Sequence, residues 1–199
     1  MIKPLERNHI LENYLECFKR ELSGYSYHPS EFMKGLELRE KMIHDFSFAV
    51  PNEKALKIIS SYSPLIEVGA GRGYWASLLK QRGADIIAFD CAPPHLEKNA
   101  WHNSSSVFYE IGKAKADITQ KYSDRTLFLC WPPYNTPMAS QALKAYSGDT
   151  VIYIGEGEGG CTGDEAFHTM LETDFLSVKQ CAIPQWPGIH DYLTIYNRI

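Results

Sequence analysis

The stretch of sequence that decides the fold lies at residues 65–75 and reads Leu65-Ile66-Glu67-Val68-Gly69-Ala70-Gly71-Arg72-Gly73-Tyr74-Trp75. It begins as an apolar run typical of a buried strand, continues through three alternating glycines, and leads directly into a helical segment. Glycine lets the backbone turn sharply and lets a ligand approach the main chain, while free N–H groups at the start of a helix bind polar or anionic groups. The stretch therefore predicts a strand, a tight turn and a helix that together form a ligand site.

Strand-like and helical segments alternate after residue 64. Short runs rich in β-branched and aromatic residues predict strands at residues 65–68, 85–89, 126–130 and 150–154, with a weaker candidate at 107–111. The predicted helices lie at residues 74–82, 94–101, 137–146 and 163–171. This alternation predicts a parallel sheet that helices cover on both faces. Two further strand-like runs, 176–183 and 192–196, have no helix between them, so the last strand is predicted to run antiparallel.

Residues 1–63 precede this alternation and carry helical patterns. Apolar side chains recur at helical spacing from residue 11 to residue 22, a turn is expected at residues 23–25, and further helices begin near Pro29 and at Pro51. We expect residues 1–63 to form an N-terminal helical cap over a core of residues 64–199. A chain of 199 residues has the size of one ordinary folded unit, so the two parts are predicted to form a single structural unit.

The overall composition is that of a folded protein without a strong charge. Hydrophobic residues make up 44% of the chain, the formal net charge is −4, and no window carries a run of Lys and Arg, which argues against an extended nucleic-acid surface. The five cysteines are odd in number and widely spaced, a pattern that fits neither a disulfide framework nor a metal site. No stretch is long and apolar enough for a membrane span, and the N-terminus is unlike a signal peptide. A cytoplasmic protein without bound metal is expected, and the sequence gives no indication of its oligomeric state.

The spacing of the glycines distinguishes between two kinds of nucleotide site. A dinucleotide site of the NAD(P) type requires G-x-G-x-x-G, whereas Gly69, Gly71 and Gly73 give G-x-G-x-G, with an acid ahead of them at Glu67. This E-x-G-x-G-x-G pattern resembles the first motif of class I S-adenosylmethionine-dependent methyltransferases. The resemblance implies that the glycines and Ala70 pass beneath S-adenosylmethionine (SAM) and that Glu67 lies near its methionine amino group.

A second feature of that family is an acid that closes the second strand and accepts hydrogen bonds from both ribose hydroxyls. Asp90 follows the apolar run 86–89 and matches this position. Cys91 and Ala114 are expected to border the cofactor, although the acid that the family usually has after the third strand is absent here. Without a ligand, the glycines would form only a tight turn and Asp90 would cap a following helix. Ahead of the third helix, the residues expected to line the methionine end of the site are Phe46, Phe48 and Pro51.

The fourth predicted strand ends in Trp131-Pro132-Pro133-Tyr134. This run resembles the Asn/Asp-Pro-Pro-Tyr motif of the amine-methylating members of the same superfamily, in which the polar residue hydrogen-bonds the target amine and the aromatic ring stacks on the substrate. The prolines and Tyr134 match the motif. Trp131 departs from it, because an indole N–H donates a hydrogen bond and the ring cannot accept one from an amine. Trp131 is expected instead to stack on a planar substrate or to contact the sulfonium by cation–π attraction; the alternative is a packed Trp beside a stiff turn.

Titratable groups near two strand ends are candidates for a general base. Glu156 follows the fifth predicted strand, and His190, with Asp191 beside it, precedes the last strand. The alternatives are that Glu156 lies in a glycine-rich loop and that the His-Asp pair forms a turn. Thr162 and Glu165 have the spacing of a capping box and predict the start of a helix.

Together, these patterns favour a SAM-dependent methyltransferase with a three-layer Rossmann-like fold. The resemblance implies a mostly parallel seven-stranded α/β sheet with an antiparallel last strand, and the residues add an N-terminal helical cap. The expected cofactor is SAM, and the acceptor is left open between a small molecule, a protein side chain and a nucleobase. Two alternatives remain. One is a SAM- or nucleotide-binding protein without transferase activity, which the change at Trp131 makes credible, and the other is an NAD(P)-binding oxidoreductase, which the glycine spacing disfavours.

Overall fold

The computed structural model describes residues 10–22, 29–102 and 104–199 of the chain. Its strands are β1 (Leu65–Val68), β2 (Ile86–Asp90), β3 (Gly112–Lys113), β4 (Thr126–Cys130), β5 (Thr150–Gly155), β6 (Phe175–Ala182) and β7 (Tyr192–Arg198). Its helices are α1 (Ile10–Leu22), α2 (Pro29–Asp45), α3 (Glu53–Ser60), α4 (Tyr74–Gln81), α5 (Met138–Ala145) and α6 (Glu165–Asp174), with a 3-10 helix at Ala116–Lys121 that the sequence patterns had not predicted. None of the helices in these ranges has the length and apolar character to cross a membrane.

The strands form one seven-stranded sheet in the order β3-β2-β1-β4-β5-β7-β6. β1 pairs in parallel with β2 and with β4, and the parallel pairing continues to β3 on one side and to β5 on the other. β7 runs antiparallel to both of its neighbours, β5 and β6. The predicted α/β fold, a mostly parallel seven-stranded sheet with an antiparallel last strand, is confirmed.

Helices cover both faces of this sheet. All four side chains of β1 are buried, as expected for a central parallel strand. Leu65 packs into a core shared with α3 and α4, whereas the next residue, Ile66, packs into a second core with α5 and α6. Because successive side chains of a strand point to opposite faces, this alternation gives three layers.

The N-terminal helices pack onto the first of these cores. Tyr14 in α1 is fully buried, its hydroxyl donates to the Ser47 carbonyl at 2.9 Å, and its ring stacks on Phe46 with centroids 4.7 Å apart. α3 begins at Glu53, just after Pro51, because the Asn52 side chain accepts the Ala55 N–H at 2.8 Å and caps the helix. The turn expected at residues 23–25 lies outside the described residues, and the division of the chain after residue 63 stays a prediction.

Two segments between β2 and β3 differ from the sequence prediction. The helix predicted at residues 94–101 is wrong: the segment forms turns, because the Asn99 side chain accepts the N–H groups of Trp101 and His102 and donates to the Ala92 carbonyl. The strand predicted at residues 107–111 is also wrong. The Phe108 N–H donates to a carbonyl of the glycine turn instead of a neighbouring strand, so β3 has only residues 112–113.

The start of α6 differs as well. The capping box predicted from Thr162 and Glu165 is wrong, because the cap position belongs to Asp164, whose side chain makes no capping bond. The Thr162 hydroxyl is buried and instead accepts the backbone N–H of Glu156 at 2.8 Å. Thr162 therefore fixes the loop after β5 rather than the start of the helix.

Candidate functional site

A cavity of about 550 Å³ opens at the carboxyl ends of β1, β2 and β4. Its wall combines the glycine turn, the segments that follow β2 and β3, the Pro-Pro turn after β4, and parts of α2 and of the loop behind it. Open α/β sheets bind ligands at this edge, and cavities of about 300–1,000 Å³ hold small molecules and cofactors. The cavity is therefore the candidate functional site.

The glycine turn uses left-handed backbone at each of its glycines. φ is 75° at Gly69, 53° at Gly71 and 71° at Gly73. A Cβ at Gly69 would lie 2.6 Å from Cε of Met138, and a Cβ at Gly71 would collide with the ring of His102. Gly69, Ala70 and Gly71 line the cavity, whereas Gly73 lies outside its wall at the start of α4. Gly73 therefore allows the backbone to turn but forms no part of the cavity surface.

Replacing Gly73 by alanine (Gly73→Ala) is expected to destabilise the protein. The added Cβ would lie 2.8 Å from Cβ of Tyr109 and 3.3 Å from Cγ1 of Ile111, at a φ of 71°. Left-handed backbone costs a residue with a Cβ about 1–2 kcal/mol, so we expect at least this loss in the free energy of unfolding, measured by urea titration. Gly83 has a φ of 84° and open space around it, so Gly83→Ala measures the cost of left-handed backbone alone. Gly157→Ala, also in open space, serves as the neutral control. If Gly73→Ala and Gly83→Ala lose the same free energy of unfolding, the close packing of Gly73 against Tyr109 and Ile111 would be contradicted.

Asp90 ends β2 and lies in the cavity wall directly beside the glycine turn. Its side chain is buried; Oδ2 accepts the N–H of Gly71 at 2.8 Å and Oδ1 accepts the N–H of Ala92 at 2.9 Å. Burial raises the pKa of this carboxyl, and the two N–H groups partly offset the rise. The side-chain amide of Asn99 also donates to Oδ1, at 3.4 Å. A carboxylate offers about four lone-pair positions, so Oδ2 can still accept a donor from the cavity.

Glu67 is a second buried acid in the cavity wall. It is 3% exposed, and its Oε2 has no hydrogen-bond partner within the described part of the chain. Burial raises the pKa of the carboxyl to about 8; the backbone N–H of Ala76 opposes the rise and the charge of Asp90 adds to it. An unpartnered buried oxygen costs about 1–3 kcal/mol, and a cationic donor in the cavity would remove this cost.

Cys91 and Ala114 line the cavity on the side of β2 and β3. The backbone N–H of Ala114 donates to the Asp90 carbonyl at 3.0 Å, which continues the pairing of β3 with β2 beyond the ends of the strands. The structure therefore brings these two positions to the same space as Asp90, as the sequence patterns had placed them.

Trp131 is held in the cavity wall by contacts on its N–H and on its ring. Its φ is 52°, a left-handed value that bulky residues seldom adopt. Its Nε1 donates to Oδ2 of Asp191 at 2.7 Å, and its ring stacks on Phe48 with centroids 5.5 Å apart. The guanidinium of Arg39 lies 5.1 Å from the ring centre. These contacts keep a strained residue in place, a pattern typical of functional sites.

Pro132, Pro133 and Tyr134 line the cavity beside this ring. Pro133 forms an isolated antiparallel bridge with Thr162, so the Pro-Pro turn is tied to the loop after β5. Tyr134 is 58% exposed at the rim of the cavity, as is Trp101, which is 53% exposed. Residues of the fourth-strand motif thus form one wall and part of the entrance.

Glu156 and His190 lie next to each other, outside the cavity wall. One Glu156 oxygen accepts the His190 N–H at 2.7 Å, and the other accepts the backbone N–H and the thiol of Cys161 at 2.8 and 2.9 Å. Burial raises the pKa of Glu156, but these hydrogen bonds outweigh it and the net pKa is lowered. The His190 side chain is 79% exposed. Neither group is placed to take a proton from a ligand in the cavity; Glu156 instead ties the loop after β5 to the segment before β7.

Several cavity residues come from segments that no motif marks. Phe46 and Phe48 line it as expected, whereas Pro51 does not, and Arg39 in α2 and His102 before β3 were not anticipated. Burial, and then the charge of a nearby arginine, lower the pKa of His102 to about 4, so its ring is neutral near pH 7. In the described ranges, no group of His, Cys, Asp and Glu side chains could hold a metal ion.

No family model and no curated protein sequence matches the chain. Among solved structures, the chain is similar to magnesium protoporphyrin IX methyltransferase from Synechocystis PCC 6803. The form with bound SAM is 13% identical over 100% of both chains, with a TM-score of 0.47. The form with bound S-adenosylhomocysteine (SAH) is 11% identical over 97% of this chain and 98% of that one, with a TM-score of 0.49. A protein in the NADB-Rossmann superfamily from Streptococcus agalactiae is 13% identical over 76% of this chain and 71% of that one, with a TM-score of 0.46. By the order and direction of its own strands and the glycine turn after the first of them, this chain has a Rossmann-like α/β fold.

Proposed function

We propose that this chain binds SAM in the cavity and transfers its methyl group to a separate acceptor. The observation that carries the proposal is Oε2 of Glu67, a buried oxygen in the cavity wall, at the start of the glycine turn, that no described residue satisfies. The methionine part of SAM carries an ammonium group, which can donate a charge-assisted hydrogen bond to this oxygen. NAD carries no ammonium group, so it offers Glu67 no charged N–H donor.

The remaining cavity residues fit the other parts of SAM. Oδ2 of Asp90, which accepts one N–H group, keeps acceptor capacity for a ribose hydroxyl. Gly69 and Gly71 carry no side chain between the backbone and the ligand. On the β3 side, Cys91 and Ala114 present small side chains, which leave room for a flat adenine ring.

Bound SAM would supply an activated methyl group on a sulfonium, so the chain has mainly to position the acceptor and exclude water. The rigid Pro-Pro turn of Pro132 and Pro133 sets one wall, and Trp131, fixed by Asp191, presents its ring beside that wall. An aromatic ring can face a sulfonium through cation–π attraction. Apolar walls also keep water from the reacting atoms.

Calorimetric titration with SAH and with NAD tests the choice of cofactor. We expect saturable binding of one SAH per chain and no binding of NAD; the reverse result would decide for an oxidoreductase. SAM with a labelled methyl group, incubated with the protein and a cell lysate, then tests transfer. We expect a labelled product that requires the protein, whereas tight SAH binding without any label would favour a non-catalytic binding protein.

Replacing Trp131 by alanine (Trp131→Ala) is expected to slow methyl transfer about 10–100-fold while changing SAH affinity much less, because the ring positions the acceptor. Initial rates of label incorporation and SAH calorimetry measure the two effects separately. Trp131→Phe keeps a flat ring against Phe48 but loses the bond to Asp191, so an intermediate rate is expected. An SAH affinity that falls as much as the rate would make Trp131 a cofactor contact instead.

A further inference from the structure

Arg39 lies in the cavity wall, where the Trp131 ring contacts its guanidinium and no described residue accepts a hydrogen bond from it. Within the described residues, no hydrogen bond or ion pair involves this group, and its Nε is shielded from solvent. A guanidinium has five N–H donors, and a buried donor without an acceptor costs about 1–3 kcal/mol. An arginine of this kind in the wall of a cavity indicates an anionic ligand.

The position of Arg39 separates it from the part of the cavity assigned to SAM. Its guanidinium lies over the Trp131 ring, at the Pro-Pro turn. Burial raises the pKa of Asp191 and of Cys161, on the same side of the cavity, and the charge of Arg39 opposes both rises. Its contact with the Trp131 ring therefore places the guanidinium at the acceptor end of the cavity.

The other cationic side chains of the cavity wall, among the described residues, are differently placed. Arg72 donates to the carbonyl oxygens of His44 at 2.6 Å and Ser106 at 2.8 Å, so its guanidinium is already engaged. Lys115 follows β3, which lies two strands from β1 on the side opposite to β4. Arg39 is therefore the cation that a ligand beside the Pro-Pro turn would meet.

The wall around Arg39 is aromatic and apolar. Trp131 and Phe48 stack with an angle of 20° between their ring planes, and Tyr134, Pro133 and Ile189 also line the cavity. Flat aromatic molecules pack well against such rings, in stacked or edge-on arrangements.

We propose that the methyl acceptor is a flat aromatic molecule bearing a carboxylate, and that Arg39 binds this carboxylate beside the Pro-Pro turn. The inference rests on the proposed function, because it names the acceptor class of the same site. A guanidinium matches a carboxylate through two parallel hydrogen bonds. One arginine neutralises one negative charge, whereas the second charge of a phosphate would stay unpaired in an apolar wall, so the site favours a carboxylate.

Calorimetry with benzoate and benzamide tests this acceptor class on the SAH-saturated protein. The two molecules have similar shapes, but only benzoate carries the charge. We expect benzoate to bind at least about tenfold more tightly than benzamide, and Arg39→Gln to remove this advantage, since a hydrogen bond to a charged group contributes about 1.5–3 kcal/mol. Arg39→Lys keeps the positive charge but cannot form two parallel hydrogen bonds to a carboxylate, so it is expected to restore the benzoate affinity in part.

Matched controls separate this inference from the proposed function. Arg82→Gln makes the same chemical change in an arginine just after α4 that pairs with Glu53, outside the cavity wall, and is expected to leave benzoate affinity unchanged. SAH affinity is measured in every variant, and Arg39→Gln is expected to retain it. If the wild-type protein fails to bind SAH, the proposed function fails, and the benzoate comparison is then made on the free protein.

Three results would overturn the acceptor class: no binding of benzoate, equal binding of benzoate and benzamide, or tighter binding of inorganic phosphate than of benzoate. A loss of SAH affinity in Arg39→Gln, with benzoate binding retained, would assign Arg39 to the methionine carboxylate and would overturn the proposal as well.

Discussion

Replacing Asp90 by alanine (Asp90→Ala) is expected to lower the affinity for SAH at least about 100-fold. The ribose would lose its charged acceptor, and a hydrogen bond to a charged group contributes about 1.5–3 kcal/mol. The same carboxylate accepts the N–H of Gly71 at 2.8 Å, so its removal also frees the turn against which the ligand is proposed to lie. Calorimetric titration with SAH measures the change.

Asp85→Ala provides the matched control, because Asp85 precedes β2 at its opposite end and pairs at the surface with Arg125 at 3.0 Å. Its SAH affinity is expected to equal that of the wild type. Asp90→Asn keeps one oxygen for the Gly71 N–H, so it shows how much of the loss comes from the turn, and urea titration of all variants detects any loss of folding. An unchanged affinity in both Asp90 variants would remove Asp90 from the site.

The sequence predicted the centre of the sheet well because the signals there are local. In residues 65–75, the apolar run, the glycine spacing and the apolar start of a helix all lie within one short window, and β1 and α4 begin at the predicted residues. Likewise, the absence of a helix between β6 and β7 required the chain to reverse, which predicted the antiparallel last strand.

The segment between β2 and β3 could not be predicted in this way. Its helical pattern at residues 94–101 is overridden by the Asn99 side chain, which bonds to backbone groups on both sides of it. The run 107–111 has strand-like residues, but its Phe108 N–H bonds to the glycine turn, a contact between residues far apart in the sequence. The Asn99 contacts are local and compete with the helical pattern, whereas composition within a short window carries no information about the Phe108 contact.

In the candidate site, too, some residues are marked by local sequence patterns and others are placed only by packing. Glu67, the glycines and Asp90 sit at strand ends in recognisable spacings, and the structure brings them to one cavity. Arg39 and His102 reach that cavity only through the packing of α2 and of the β2–β3 connection. Glu156 is a candidate base in the sequence because it follows a strand end, but its carboxylate accepts backbone N–H groups of neighbouring loops instead of facing the cavity.

SAM binding is expected to release about one proton per chain near pH 7, and Glu67 is its source. The carboxyl has a pKa of about 8 in the ligand-free protein, against its ordinary value of 4.5, so it is largely protonated at pH 7. The ammonium group of SAM stabilises the ionised form and expels the proton. Below pH 7.5, where the α-amino group is still charged, the affinity is therefore expected to rise with pH by up to about tenfold per unit. Calorimetry in phosphate and in Tris, whose ionisation enthalpies differ, counts the protons.

Glu67→Gln removes the titrating group, so its SAM binding is expected to release no proton and to be weaker than that of the wild type at pH 7.5. Glu172→Gln, the same change at an exposed position of α6, is expected to behave as the wild type. The ligand-free protein gives an independent check. The unfolded state loses this proton near pH 4.5 and the folded state near pH 8, so the free energy of unfolding is expected to fall as the pH rises between these values, and to fall less in Glu67→Gln. SAM binding without proton release, in a protein whose stability does show this dependence on Glu67, would mean that the carboxyl stays neutral beneath the ligand and that the ammonium group lies elsewhere.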